Sequence, residues 1–275
     1  MSMLSITTYI IDAFTDQPFH GNPAGVCLLE KPLEESVMQN IARELGYSET
    51  AFVRPMEEGR HYSIRYFSPK TEIPLCGHAT LASAKALFER DPAQNTLHLI
   101  TQHHLDLFVG KEEDGMIMEF PRYEAFPREA PKALLQALGI AAIQNSVFCE
   151  ETQMLLLEIE SSLQLRGLTP DFEKLKQSHN AIDGVVVTAL SDQVDYDFES
   201  RYFWPWSGTN EDPVTGATHT FMAPYWCSKL KKNKLRSFQC SPRGGFMDIE
   251  LMDGNRLRIK GQAQIVLEGQ FCLLL

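Results

Sequence analysis

Two segments of the sequence carry the same succession of residues about half the chain apart. The first reads RYFSPKTEIPLCGHAT over residues 65–80, and the second reads RYFWPWSGTNEDPVTGATH over residues 201–219. Both contain Arg-Tyr-Phe-x-Pro followed by Glu-x-Pro-x-x-Gly, with an insertion at residues 208–210 in the second copy. Each copy has the composition of a strand, a turn and then a helix that opens at the shared glycine. Shared turn chemistry alone is the alternative, but the repeat favours two related halves.

The chain length agrees with two halves, because 275 residues correspond to about two domains. Hydrophobic residues make up 44% of the chain, and the formal net charge is −11. This composition is typical of a globular protein that can form hydrophobic cores. The acidic balance argues against a nucleic-acid partner, which would need a basic patch. It does not exclude a small anionic ligand, since backbone amides at a helix start bind anions locally.

The six cysteines are scattered, with neither zinc-ligand spacing nor the pattern of a small disulfide-bonded domain. We therefore expect reduced thiols and no metal site, and His103-His104 shows no ligand spacing either. The first residues lack the basic and apolar regions of a signal peptide. No segment reaches the roughly 18 apolar residues that a membrane span needs. The sequence thus predicts a cytoplasmic protein without membrane contact.

Strand-like segments outweigh helical ones in both halves. The clearest helices are rich in small residues and begin at the repeated glycines, one over Gly77–Phe88 and one from about residue 216 to residue 230. An apolar stripe predicts a further helix over Leu33–Leu45. Three prolines between residues 121 and 131 are typical of a connection between the halves.

The repeated glycines, Gly77 and Gly216, suggest how the halves bind a ligand. Glycine lets the backbone approach a ligand closely. The first amides of a helix have no internal partner and carry the positive end of the helix dipole. Two such helix starts pointing into one cleft would bind a carboxylate group without an arginine. Asp212 lies four residues before the second glycine, where it could cap the helix, contact the ligand, or do both.

Cys76 lies directly before the first shared glycine, where its thiol could act as one base of a two-base racemase, although the second copy has no thiol at the matching position. A two-base racemase needs an acid–base group on each face of the substrate carbon, and a helix start lowers the pKa of a cysteine toward a useful range. The second copy has Thr215 at the matching position, and a threonine hydroxyl is too weak an acid. A symmetric two-thiol mechanism is therefore disfavoured. Cys76 is either a small buried residue or the base of an epimerase.

Several motifs resemble those of the PhzF (phenazine biosynthesis-like) family, most closely its animal phenazine biosynthesis-like domain-containing proteins: IDAFTDQPFHGNPAGVCLL, ARELGYSETAF, PLCGHATLA, EDPVTGATH and FQCSPRGG. The resemblance extends from Asp12 to Glu268. It implies the α+β (α/β) fold of diaminopimelate epimerase, with two pseudo-symmetric halves, each a curled, mostly antiparallel sheet or barrel around a central helix. It also implies halves of residues 1–122 plus 264–275 and of residues 123–263, a site between them, and a homodimer.

The resemblance assigns roles to single residues as well. The glutamate of the family's Ser-Glu-Thr motif, which shuttles a proton, is Glu49 here, and the family's substrate contacts fall on Asn22, His78 and Asp212. Where the family has DPVTGSAH this chain has DPVTGATH, so Thr218 is the residue that could replace the expected serine hydroxyl. Together with the helix starts, the candidate substrate-binding residues are Asn22, Cys76, Gly77, His78, Asp212, Thr215, Gly216 and Thr218.

The resemblance further implies the reaction. The family's phenazine enzyme isomerises an amino-hydroxy-cyclohexadiene carboxylate without metal or cofactor. One carboxylate can remove a proton from one carbon and return it to another on the same face, most efficiently when a closed, water-poor site raises its pKa. We therefore predict a cofactor-free isomerase of a small carboxylate. A Cys76-dependent epimerase or racemase is one alternative, and an inactive binding or regulatory protein of the same fold is another.

Overall fold

The structure is a computed structural model that describes residues 3–56, 61–207 and 209–274. Gly208, the first residue of the insertion in the second repeat copy, lies outside the described residues. The chain divides into two compact units. Unit 1 comprises Met1–Glu119 and Lys260–Leu275, and unit 2 comprises Phe120–Ile259. Within the described ranges, no helix combines the length and apolar character needed to cross a membrane.

Unit 1 is built mainly of strands, numbered here along the whole chain. Its elements are β1 (Met3–Ala13), β2 (Asn22–Leu28), α1 (Glu35–Leu45), β3 (Thr50–Pro55), β4 (Tyr62–Phe67), β5 (Glu72–Ile73), α2 (Gly77–Arg90), β6 (Thr96–Thr101), β7 (Asp106–Glu112), β8 (Gly115–Pro121) and β18 (Ala263–Leu274). The strands pair in the order β18-β1-β2-β3-β4-β6-β7-β8, with β5 added beside β4. Only β2–β3 and β4–β6 in this order are parallel, so the described sheet is mostly antiparallel.

Helix α2 is the central helix of unit 1. It packs against β1, β2, β3, β7 and β18, and nearly every face of it is buried. Small residues such as Ala79, Ala82 and Ala84 are fully covered, which lets the strands approach the helix closely. A helix that is apolar on all sides requires such an enclosure. The sheet therefore curls around α2, as predicted, and among the described strands it does not close into a barrel.

Unit 2 repeats this architecture with more helices. Its elements are β9 (Phe126–Pro127), α3 (Lys132–Leu138), β10 (Asn145–Cys149), β11 (Met154–Glu158), α4 (Ser162–Arg166), α5 (Phe172–Ser178), β12 (Gly184–Leu190), β13 (Phe198–Trp204), a 3₁₀ turn (Pro205–Ser207), β14 (Thr209–Asp212), α6 (His219–Leu230), β15 (Lys234–Gln239), β16 (Gly245–Met252) and β17 (Arg256–Gly261). The strands pair in the order β9-β10-β11-β12-β13-β15-β16, with β14 added beside β13.

The two units have the same strand topology. In unit 1, β1 pairs antiparallel with β2, β2 parallel with β3, and β3 antiparallel with β4. Strand β4 then has an antiparallel neighbour, β5, and a parallel neighbour, β6, which itself pairs antiparallel with β7. The steps from β10 to β16 in unit 2 follow the same succession. The long helices α2 and α6 also occupy matching positions in the order of elements, since α2 follows β5 and α6 follows β14. The predicted fold class, with two pseudo-symmetric halves, is thereby confirmed.

The repeated arginine and glutamate form the same ion pair in each unit. In unit 1, Arg65 donates to both carboxylate oxygens of Glu72 at 2.7 Å each, and in unit 2 Arg201 does the same with Glu211 at 2.7 Å each. Each pair joins neighbouring strands, β4 to β5 and β13 to β14. Such two-fold contacts fix geometry as well as adding energy. The repeat therefore holds the strand that leads into each glycine turn.

The second helix begins later than the sequence indicated. The sequence predicted a start at about Gly216, whereas α6 begins at His219. The amides of His219 and Thr220 donate to the carbonyl groups of Gly216 and Ala217, three residues earlier. This bonding forms a tight turn before the regular helix, whereas α2 does begin at its glycine, Gly77. The two glycines are matched in sequence but differ in local conformation.

Candidate active site

Three elements of unit 1 bring the predicted acid–base residue and its neighbours together. Helix α1 ends at Gly46, whose φ of 72° is left-handed and therefore suits glycine. The chain then turns through residues 47–48 to Glu49, directly before β3. The Glu49 carbonyl accepts a hydrogen bond from the Gly25 amide on β2 at 3.2 Å. The parallel pairing of β2 with β3 thus fixes the backbone that carries the Glu49 side chain.

The residues from α2 complete this cluster. Cys76 is the N-cap residue of α2, and His78 is its second residue. His78 Nε2 lies 3.3 Å from Glu49 Oε2, and Cys76 Sγ lies 3.4 Å from His78 Nδ1. Glu49, Cys76 and His78 are each only 7% exposed. The structure therefore brings together three of the predicted site residues in a nearly buried cluster.

Asn22 defines the protonation form of His78. It lies at the start of β2, and its Nδ2 donates to His78 Nδ1 at 3.2 Å. A neutral imidazole carries one proton, so with Nδ1 as the acceptor the proton is on Nε2. That nitrogen faces Glu49 and donates toward its carboxylate. Asn22 thus orients the imidazole, and the imidazole orients the carboxyl group.

The electrostatics of Glu49 favour an acid–base role. Burial raises the pKa of Glu49, while hydrogen bonds from Ser48 and Cys76 act in the opposite direction. Burial has this effect because a low-dielectric environment disfavours the charged form of a carboxyl group. A carboxyl group whose pKa lies closer to neutrality can both accept and return a proton.

The same cluster has the composition of a metal site. Glu49, Cys76 and His78 each offer one ligand atom, and these atoms all lie within 4.8 Å of one another. The sequence predicted no metal site, because residues 49, 76 and 78 do not follow a zinc-type spacing. Ligands contributed by different elements escape such a search, since only the fold makes them neighbours.

The remaining predicted site residues form a second cluster in unit 2. Asp212 ends β14, and its carboxylate accepts a hydrogen bond from the Thr215 hydroxyl. Thr218 is 1% exposed, and its hydroxyl donates to the Thr215 carbonyl at 2.8 Å. Gly216 lies in the turn before α6. The expectation that this cluster and the Glu49 cluster serve one substrate stays a prediction from the sequence.

Gln239 holds the turn that contains Asp212 and Thr215, although the sequence did not single it out as a site residue. At the end of β15, its side-chain amide donates to the Asp212 carbonyl at 2.7 Å and accepts from the Thr215 amide at 2.9 Å. Ser241 adds a hydrogen bond to the Pro213 carbonyl at 2.7 Å. Both residues lie in the motif FQCSPRGG, so the family resemblance contained the available signal. They position the turn rather than offering a titratable group.

His219 was given no role from the sequence, because it shows no ligand spacing. It is completely buried; its Nδ1 donates to the Thr215 carbonyl at 3.0 Å, and its Nε2 accepts from the Ser237 hydroxyl at 2.9 Å. Burial lowers the pKa of His219 to about 4, although hydrogen bonds to the carbonyl groups of Thr215 and Gly216 act in the opposite direction. The neutral imidazole therefore ties the turn to β15.

We expect His219 to make the protein less stable in acid. The unfolded chain takes up a proton at about pH 6.5, whereas the folded chain does so only at about pH 4. Stability is therefore retained above the unfolded pKa and decreases as pH falls toward the folded one. Between about pH 7 and about pH 5 this corresponds to about 2 kcal/mol. Urea unfolding at both pH values measures it; a His219→Gln variant with an equally steep loss would contradict the assignment.

The chain matches one known protein family over almost its whole length. The family model described as "Phenazine biosynthesis-like protein" (PhzC-PhzF) matches residues 11–269. The chain belongs to the PhzF family. The resemblance carried by the sequence motifs is thereby confirmed. The family match includes both the Glu49 cluster and the Asp212 turn.

Relatives of this PhzF protein align over nearly all of its length. The mouse phenazine biosynthesis-like domain-containing protein 2 is 41% identical, with 97% of this chain and 99% of the mouse protein aligned. A protein of Halalkalibacterium halodurans, named an uncharacterized isomerase, is 39% identical over 98% of this chain and all of its own. The crystal structure of a PhzF-family protein from Enterococcus faecalis superposes with a TM-score of 0.91 at 40% identity, covering 98% of this chain and 100% of that one.

A more distant structure shows the wider fold. A Pseudomonas aeruginosa protein described as a predicted epimerase is 20% identical and superposes with a TM-score of 0.69, covering 97% of this chain and 99% of that one. At that identity the likeness shows the fold alone. It agrees with the diaminopimelate epimerase-like architecture expected from the sequence.

Proposed function

We propose that this PhzF protein is an isomerase in which Glu49 moves a proton between two carbon atoms of a small carboxylate substrate. The observation that carries the proposal is the buried contact of Glu49 with His78, at 3.3 Å. A carboxyl group that is only 7% exposed exchanges its proton with bulk water slowly and in part, and burial raises its pKa. Both properties suit a group that must take up a proton and return it.

The proposed step conserves all atoms. Glu49 takes a proton from one carbon, the electron pair left behind shifts through the conjugated system, and the protonated Glu49 returns the proton to a second carbon. The products are the double-bond isomer and the original carboxylate. One base is sufficient when both carbons present the same face to it. His78, through its Nε2 proton, holds the carboxyl group in position during both transfers.

The N-terminus of α2 supports a carboxylate as the substrate class. Gly77 opens the helix, and its neighbours Cys76 and His78 belong to the Glu49 cluster. The first amides of a helix lack internal partners and lie at its positive end. Negative charge that develops on the substrate carboxylate during proton removal would be stabilised there. The helix thereby serves two tasks, since it carries His78 and offers amide donors.

The comparisons support an isomerase- or epimerase-type function at a coarser level. The Halalkalibacterium halodurans relative bears the name isomerase, whereas the animal relatives are named by domain only. These names specify neither a substrate nor a mechanism. The proposed substrate class and mechanism therefore rest on the geometry of Glu49.

Deuterium uptake from heavy water tests the proposal. The purified protein is incubated in D₂O with the amino-hydroxy-cyclohexadiene carboxylate of the phenazine enzyme and with a panel of unsaturated and 2-amino carboxylates. Proton NMR then follows each carbon-bound hydrogen. We expect isomerisation of at least one unsaturated carboxylate, with label at the newly protonated carbon. Binding without exchange or isomerisation of any tested acid would favour the binding-protein alternative.

A second candidate, an epimerase that uses Cys76 as its base, is favoured by one observation. The Cys76 sulfur lies 3.4 Å from His78 Nδ1 and hydrogen-bonds Glu49, so the thiol is close to the acid–base pair. Thr215, its counterpart in the repeat, instead donates its hydroxyl proton to Asp212. Unit 2 therefore offers no matching thiol for a symmetric mechanism.

Replacement of Cys76 by serine distinguishes the two candidates. Under the Glu49 mechanism we expect Cys76→Ser to slow deuterium uptake less than about tenfold, because removing an acid–base group itself costs about 100- to 10,000-fold. The serine keeps a small polar group at the start of α2. The measurement is the initial rate of label incorporation into the best substrate of the panel. A loss in the larger range would transfer the catalytic role to the thiol.

A further inference from the structure

We propose that Glu49, Cys76 and His78 form a binding site for a thiophilic divalent cation of the zinc class. Their three ligand atoms are a carboxylate oxygen, a thiol sulfur and an imidazole nitrogen, all within 4.8 Å of one another. Each residue is nearly buried. The proposal concerns binding itself and does not depend on the proposed function.

One distance in the cluster agrees with the edge of a coordination tetrahedron, and a second is longer than its edge. Zinc lies about 2.0 Å from a nitrogen or oxygen ligand and about 2.3 Å from a sulfur. Tetrahedral angles then give an N···O edge of about 3.3 Å and an S···N edge of about 3.5 Å. The observed distances are 3.3 Å between His78 Nε2 and Glu49 Oε2, and 3.9 Å between Cys76 Sγ and His78 Nε2. The N···O distance already matches its edge. The sulfur lies nearer to His78 Nδ1, at 3.4 Å, so metal binding requires the Cys76 side chain to rotate toward Nε2.

The ligand set selects the class of ion. Thiolate and imidazole ligands favour Zn²⁺ and Co²⁺, whereas Mg²⁺ and Ca²⁺ prefer oxygen ligands. Three protein ligands leave the fourth tetrahedral position open to water or another small ligand. The cluster is therefore a site for a zinc-like ion that keeps one exchangeable position.

Binding requires a small and balanced rearrangement of protons. Cys76 releases its thiol proton to solvent, and the His78 proton moves from Nε2 to Nδ1, which frees Nε2 for the metal. The side-chain amide of Asn22, now 3.2 Å from Nδ1, rotates by half a turn so that its oxygen accepts this proton. A hydrogen bond of this kind fixes the tautomer of a metal-ligating histidine.

Inhibition of the proposed isomerase reaction by zinc is the expected consequence, and this expectation rests on the proposed function. An ion bound to the Glu49 carboxylate occupies the oxygen that would accept the substrate proton. Zinc should therefore stop deuterium exchange reversibly, and a chelator should restore it. The cluster would then exist in two exclusive states, one with a proton and one with a metal ion.

Cobalt titration tests the binding site. Chelator-treated protein is titrated with Co²⁺ alone, and we expect one ion per chain, a thiolate-to-cobalt charge-transfer band and the visible bands of tetrahedral cobalt. Zn²⁺ should remove these bands, and Mg²⁺ should not. Cys76→Ser should lose the charge-transfer band. His78→Gln should weaken binding at least about tenfold, since even groups that only support a ligand contribute 10- to 100-fold.

Matched variants control for other thiols and imidazoles. Cys272 and His103 are both exposed, so Cys272→Ser and His103→Gln should bind Co²⁺ as the wild type does. Circular dichroism verifies that each variant is folded. Absence of the bands in the wild type, or their persistence in Cys76→Ser, would overturn the site. Metal binding that leaves deuterium exchange unchanged would keep the site and instead refute the role given to Glu49.

Discussion

Replacement of Glu49 by glutamine is expected to slow deuterium uptake and isomerisation by about 100- to 10,000-fold, the usual contribution of a general acid–base group. Glutamine has nearly the shape of glutamate but neither accepts nor returns a proton in the relevant range. It can still accept the hydrogen bond from His78 Nε2 through its amide oxygen. The fold should therefore persist, and the loss should appear in the turnover rate. NMR initial rates on the best substrate of the panel measure it.

Two further variants make this prediction specific. Glu44 lies on the exposed side of α1, five residues before Glu49, and Glu44→Gln removes the same charge without touching the cluster. It should leave the exchange rate unchanged. Glu49→Asp keeps the carboxyl group but shortens its reach, so some activity should remain. If Glu49→Gln is as active as Glu44→Gln, residue 49 does not move the proton.

Replacement of Arg201 by methionine is expected to lower the free energy of unfolding by about 3–5 kcal/mol, because removing one partner of a buried ion pair leaves an uncompensated charge. The side chains of Arg201 and Glu211 are only 8% and 13% exposed. Arg201 also donates to the Leu168 carbonyl at 2.6 Å. Its loss therefore leaves both a carboxylate and a buried carbonyl without their donor. Urea denaturation followed by fluorescence measures the change.

The first repeat copy provides the matched comparison. Arg65 and Glu72 form the same two-fold contact but are 20% and 22% exposed, so solvent screens the pair more strongly. Arg65→Met should cost about 1 kcal/mol, near the upper value for surface pairs. The double variant Arg201→Met with Glu211→Leu should regain part of the lost stability, since apolar replacement of both partners is often tolerated. Equal losses for Arg65→Met and Arg201→Met would contradict this account of burial.

The repeat allowed the fold to be predicted from the sequence because its residues have a direct structural meaning. Arg65 and Arg201 mark equivalent strands, β4 and β13, and their glutamate partners mark the short strands β5 and β14. An ion pair of fixed spacing constrains both copies to the same strand–turn arrangement. The predicted pseudo-symmetry followed from that constraint, and the shared topology of the two units confirms it.

Elements without such markers were missed. Helices α4 and α5 have only five and seven residues, too short for a clear apolar period. Strand β15 was missed because two of its three buried residues, Ser237 and Gln239, are polar. The start of α6 was predicted wrongly, since Gly216 signalled a helix while the chain first forms a tight turn. Hydrogen bonds between near neighbours decide such boundaries, and residue type alone does not specify them.

The candidate site, like the fold, could be predicted from the sequence only in part. Glu49, His78 and Asn22 could be named from the sequence because family motifs carry them. Their mutual distances could not, because Asn22, Glu49 and His78 come from three separate elements that only the packed sheet and α2 bring together. The metal-like arrangement with Cys76 was invisible for the same reason. Buried support residues, such as Gln239, give no signal of their own in one sequence.

The central claim is that one buried carboxyl group carries the proton from the carbon that loses it to the carbon that receives it. It is tested most directly with a substrate deuterated at the first carbon, converted in ordinary water under single-turnover conditions. Because Glu49 is only 7% exposed, the account predicts that part of the deuterium appears at the second carbon of the product. A product whose new hydrogen comes entirely from solvent would contradict it.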